Sequence, residues 1–180
     1  MRGRIGRGVG AAIVAAVFVV GPAVGLAAPV TDEGQGVRGG PAIDDEECKA
    51  LKDINRFRRE RGLKPLVLDR DLVEAADHHS QDMARHDYFS HTLDDRTSWE
   101  ENIRDFGYRS DPVGENIFAG RPQGRDAFQA WERSRGHRET MLGRSYRAIG
   151  VARAFDRDAE YGWYWTTTFG GKVENKVTCR

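Results

Sequence analysis

The chain has 180 residues, enough for one domain with appendages, and its 39% hydrophobic and 31% charged residues exclude both a wholly disordered polymer and a multi-span membrane protein. Basic and acidic residues balance at 28 each, which gives no reason to expect a nucleic-acid partner. The balance conceals an asymmetry: Arg2, Arg4 and Arg7 are the only charges before residue 29, so the remainder carries 25 basic against 28 acidic residues.

Those three arginines, the apolar stretch from Val9 to Leu26 and the small residues Gly25, Ala27 and Ala28 have the layout of a secretory signal peptide over residues 1–28. Retention of the stretch as a membrane anchor is the alternative; cleavage would leave no stable span. Residues 29–45, with Pro29, Gly34, Gly36, Gly39, Gly40 and Pro41, read as a flexible linker. A domain over 46–173 and a tail over 174–180 follow.

Leu51, Ile54 and Phe57 recur at helical spacing, so a first helix is predicted over 46–61, stopped by Gly62. Pro65 enforces an extended connector over 63–68. Leu72, Ala75, Ala76, His79 and Met83 form the inner stripe of a second helix over 71–85, capped by Asp69. Thr97 or Ser98 opens a short third helix, with Glu100 or Glu101 completing a capping box. Residues 107–124 read as loop. A fourth helix spans 125–134 and another helical turn 136–142. The character then changes. Residues 148–155 and the aromatic, β-branched run 162–169 are strand signals, joined by a polar turn into an antiparallel hairpin. Helices first and a C-terminal hairpin last give an α+β class.

Common catalytic motifs are missing: there is no G-x-S-x-G, no H-E-x-x-H and no close cysteine pair. Cys48 and Cys179, the only cysteines, are expected to pair in an exported chain, with two separate thiols as the alternative. His91, Glu115 and His137 are polar residues in apolar or glycine contexts. Two imidazoles and a carboxylate suit either a borderline metal such as zinc or proton transfer. Against this, Glu115 and Asn116 also suit backbone capping in a loop. His78, His79 and Asp82 are read as a solvated helix face, and Trp163 and Trp165 as core on one sheet face. The 23 arginines mark no patch and are read as solvated.

The pieces Asn55-Arg56-Phe57-Arg58, Gly62-Leu63-Lys64-Pro65-Leu66, Phe89-Ser90-His91, Gly114-Glu115-Asn116-Ile117, Trp131-x-x-Ser134-x-Gly136-His137-Arg138 and Tyr164-Trp165 with Phe169-Gly170 together resemble the CAP superfamily (cysteine-rich secretory protein, antigen 5, pathogenesis-related 1; the SCP-like domain) in its bacterial secreted form. The resemblance implies an α-β-α sandwich of three layers around a cleft. Its cleft pattern is two histidines and two acids, sometimes with a divalent metal. His91, Glu115 and His137 fall on three of these positions, and Ser134 stands where the eukaryotic pattern has Glu; Glu132, one step after Trp131, points elsewhere. Thr167 replaces a frequent Gln. The implied function is a secreted, monomeric, non-enzymatic binding module with a cleft of His91, Glu115, Ser134 and His137. Its ligand would be an apolar small molecule, an envelope component or a protein. The alternative is a metal-assisted hydrolase, with His91 and His137 as zinc ligands and Glu115 as the catalytic base.

Overall fold

The computed structural model describes residues 42–179, so the expected signal peptide and the linker up to residue 41 lie outside the described residues. In chain order the elements are α1 (Asp45–Arg59), β1 (Val67–Leu68), α2 (Arg70–His86), α3 (Trp99–Asp105), β2 (Val113–Ala119), α4 (Gly124–Arg133), α5 (Arg135–Met141), β3 (Ala148–Phe155) and β4 (Trp163–Gly170). The helix starts follow local chemistry. Asp44 accepts from the backbone N–H of Glu46 and Glu47, and Glu47 reaches back to the Asp44 N–H, so α1 opens one residue earlier than expected with a full capping box. Asp69 caps α2, and Ser98 with Glu101 boxes α3. Past α1 the chain turns at Gly62, where φ is +70°, a value glycine adopts without strain.

One four-stranded sheet has the order β1-β3-β4-β2. The expected hairpin is there: β3 and β4 pair antiparallel at its centre. β1 joins β3 in parallel, and β2 joins β4 antiparallel, with Glu115 opposite Thr168 and Ile117 opposite Thr166. The strand β2 corrects the loop reading of 107–124. Gly114, Glu115 and Asn116 are poor strand formers, and their strand depends on pairing with β4 and on burial.

The two faces of the sheet differ in bulk. Ile149, Val151, Trp165 and Phe169 pack with Ile54 and Phe57 of α1, Phe128 and Trp131 of α4 and Met141 of α5 in the larger core. The opposite face is small and hydroxylated: Ala148, Gly150, Ala152, Thr166 and Thr168. That face lets α2 lie almost on the backbone. A Cβ at Gly150 would fall 2.1 Å from the Leu72 carbonyl oxygen. Thr168 donates to that same oxygen at 2.8 Å, and Ser80 of α2 donates to Thr166 at 3.0 Å. The layers are therefore α1/α4/α5, sheet, and α2/α3.

Both sheet edges are covered. At β2 the outward carbonyl of Val113 accepts from the Tyr146 hydroxyl at 3.0 Å, and that of Ile117 accepts from Trp131 Nε1 at 2.9 Å. At β1 the tail lies alongside: the Val177 N–H donates to the Leu68 carbonyl at 3.1 Å, and Asp69 Oδ2 accepts from the N–H of Glu174 and Asn175. Two residues further on, Cys179 is disulfide-bonded to Cys48 of α1 across 131 residues of sequence.

Arg58 corrects the solvated reading of the arginines. It is fully buried, and it donates to the carbonyls of Lys64, Met141, Gly143 and Tyr146. It thereby fastens α1 to the loop between α5 and β3.

Candidate functional site

The site wraps the covered edge of β2. Strand alternation sends Glu115 toward α2 and Asn116 toward α5. Glu115 is buried, with its side chain 1% exposed, and each oxygen meets one imidazole: Oε2 lies 2.7 Å from His79 Nδ1 and Oε1 lies 2.7 Å from His91 Nδ1. Among the described residues it caps no backbone amide. His91 is reached by the loop after α2, which Asp82 organises by accepting from the Tyr88 hydroxyl and from the Asp94 N–H. Asn116 donates to the His137 carbonyl at 3.1 Å, so β2 holds the start of α5; its Oδ1 is buried with no hydrogen-bond partner among the described residues.

Ser134 is the joint between α4 and α5. Its extended backbone (φ −85°, ψ 128°) ends one helix and opens the next. That bend sets Ser134 and His137 beside Trp131, lining a cavity of about 290 Å³ with Ile117, Phe118, Ala119 and Ala130. Phe89 and Tyr161, 46% and 42% exposed, complete the lining with ring centroids 6.1 Å apart. Burial, and secondly the charge of nearby His91, hold the His137 imidazole below its ordinary pKa. Both histidines thus belong to one neighbourhood. Glu132 lines a different groove, with Asp53 and Arg56 of α1 and Glu60 just past its end.

His79 is the site residue that sequence reasoning missed. It is not on a solvated face: it is fully buried, and it joins Glu115 to the loop through a 3.0 Å contact from Nε2 to the Ser90 carbonyl. Its place on the inner stripe of α2 was the available signal. His78 is exposed and bonds Asn102 at 2.8 Å, while Asp82 is half-buried.

The donor set does not fit zinc. Both Glu115 oxygens are engaged by imidazoles. Among the described residues, no group of three or more His, Cys, Asp and Glu is placed to hold a metal ion, whereas zinc takes three or four protein ligands.

The sequence pattern of the cysteine-rich secretory protein (CAP) family matches residues 51–169. The chain belongs to the CAP family. The chain is 35% identical over 131 residues to the uncharacterized protein YkwD of Bacillus subtilis, a match that covers 73% of this chain and 49% of YkwD. It is 30% identical over 119 residues to the uncharacterized membrane protein YlbC of the same organism, 61% of this chain and 34% of YlbC. The chain thus spans half or less of these relatives. Among solved structures, an extracellular SCP-domain protein of Bacillus anthracis aligns with TM-score 0.62 at 27% identity, over 69% of this chain and 40% of that one. An outer surface protein of Borrelia burgdorferi, at 21% identity, shares the fold with TM-score 0.63 over 77% of this chain and 99% of that one. Among the described residues no helix is long and apolar enough to cross a membrane.

Proposed function

We propose that this protein is an exported CAP-domain binding module whose cleft receives a small apolar group, with the ligand's polar end beside Ser134, His137 and His91. The observation that carries this reading is the lining of the cavity, in which Phe89, Ile117, Phe118, Trp131 and Tyr161 surround one hydroxyl and one imidazole. Apolar walls with a few convergent polar groups are the usual make-up of a ligand cleft, and about 290 Å³ lies at the small end of that range. Export is supported by the signal-peptide layout of residues 1–28, by the disulfide, and by the extracellular and outer-surface relatives.

The test is displacement of a fluorescent apolar probe by octan-1-ol. A nine-atom ligand at ordinary efficiency binds with Kd on the order of 0.1 mM. Ala130→Phe, which fills the cavity, is expected to weaken binding at least about tenfold. Absence of saturation, or binding indifferent to Ala130→Phe, rejects the cleft.

A second reading, hydrolysis, is favoured by one observation: the Glu115–His91 hydrogen bond is the arrangement of an oriented general base. Turnover of a nitrophenyl ester that disappears in His91→Ala would select it over simple binding.

A further inference from the structure

The side chains of His79, Glu115 and His91 form a hydrogen-bonded ring closed through one peptide segment. His79 Nδ1 meets Glu115 Oε2 at 2.7 Å, Glu115 Oε1 meets His91 Nδ1 at 2.7 Å, and His79 Nε2 meets the carbonyl of Ser90, the neighbour of His91, at 3.0 Å. The positions of the protons follow. A carbonyl oxygen only accepts, so His79 Nε2 carries hydrogen. The contact between His79 Nδ1 and Glu115 Oε2 then holds one proton, either on the ring as an imidazolium–carboxylate pair or on the carboxyl as a neutral pair. In both states Oε1 is an acceptor, so His91 must donate from Nδ1. The remaining assignment puts the carboxyl proton on Oε1 and leaves an imidazolium beside a neutral acid. His79 and Glu115 have side chains 0% and 1% exposed, and an uncompensated charge there is the costly case.

We infer that His79 is a positioning residue that locks His91 in the Nδ1–H tautomer and leaves the Nε2 lone pair of His91 as an acceptor in the neighbourhood of His137, the imidazole that lines the cleft. His91 is suited to this, since its side chain is 47% exposed while its Nδ1 is committed to Glu115. Ligands whose head group donates a hydrogen bond, a hydroxyl or an amide, are thereby favoured over carboxylates. This preference rests on the cleft proposed above; the tautomer does not.

Long-range ¹H–¹⁵N spectra of the ligand-free, ¹⁵N-labelled protein read the tautomer directly. Neutral His91 is expected to show a protonated Nδ1 and an unprotonated Nε2, with at least about tenfold bias from its bond to the carboxyl group. His79→Gln keeps a donor for the Ser90 carbonyl and drops the hold on Glu115, and it is expected to abolish most of that bias. His79→Asn, with its amide near the Nδ1 position, is expected to restore it. A wild-type His91 protonated at Nε2 instead overturns the proposal whether or not the variants fold, and so does a folded His79→Gln with unchanged bias. In the displacement assay octan-1-ol is expected to bind at least about tenfold more tightly than octanoate. Equal binding of the two overturns the preference while the cleft stands. Binding of neither overturns the cleft while the tautomer stands.

Discussion

Replacing Arg58 by methionine tests whether a buried charge can be a net fastener. The guanidinium is fully buried, and its four acceptors are main-chain carbonyls at 3.0 Å (Lys64), 2.6 Å (Met141), 3.0 Å (Gly143) and 3.4 Å (Tyr146). Methionine retains most of the apolar stem and none of the donors. A hydrogen bond from a charged donor contributes about 1.5–3 kcal/mol, and an orphaned buried carbonyl costs about 1–3 kcal/mol. Four such terms do not add, because loop carbonyls regain water and the burial cost of the charge disappears with it. That cost is real: burial, with Arg147 nearby, pushes the Arg58 pKa below its usual value. The net expectation is a loss of about 3 kcal/mol, or about 10 °C in Tm for a domain of this size. Urea unfolding followed by tryptophan fluorescence measures it. The loop that Arg58 holds also carries Tyr146, whose hydroxyl covers the Val113 carbonyl of β2. Hydrogen exchange in β2, beside Glu115, should therefore rise together with the loss of stability. A variant within about 0.5 kcal/mol of wild type would show that the carbonyls find other partners and would refute the reasoning.

Two further outcomes are expected. Burial pushes the Glu47 carboxyl up from 4.5 to about 7, so the folded state binds more protons than the unfolded state between these values. Stability from this group is full below pH 4.5 and lost as pH rises through about 7, and the stability of wild type relative to Glu47→Gln should fall by up to about 3 kcal/mol across that window in pH-resolved urea titrations. Separately, Cys48→Ser with Cys179→Ser opens a loop of 131 residues, for which chain entropy gives an upper figure of about 5 kcal/mol; a loss near zero, measured by urea unfolding, would mean that the tail holds its place by hydrogen bonds alone.

The legible parts of the fold were those with a strong local signal. Asp69 and Ser98 mark helix starts through their own side chains, and the run from Trp163 to Phe169 states a strand by composition. β2 was hidden because it owes its form to a partner 45 to 57 residues away and carries two polar residues at its middle. His79 illustrates a different loss. Helical periodicity placed it on the buried stripe, yet a lone histidine there says nothing about which carboxylate it will meet, and the pairing with Glu115 comes from two elements stacked across the sheet. Ser134 was visible as a departure from the family pattern, but its role as the bend between two helices was not, since no side-chain cap marks it. The buried state of Arg58 was unreadable for the same kind of reason: beside the Lys64 carbonyl, its acceptors lie at the end of α5 and in the loop after it, more than eighty residues downstream.

The strip from Glu174 to Cys179 completes a surface begun at Cys48 and Leu68. Cys48 and Cys179 stand 131 residues apart in sequence, so this side of the sheet is sealed only once the strands between them are in place.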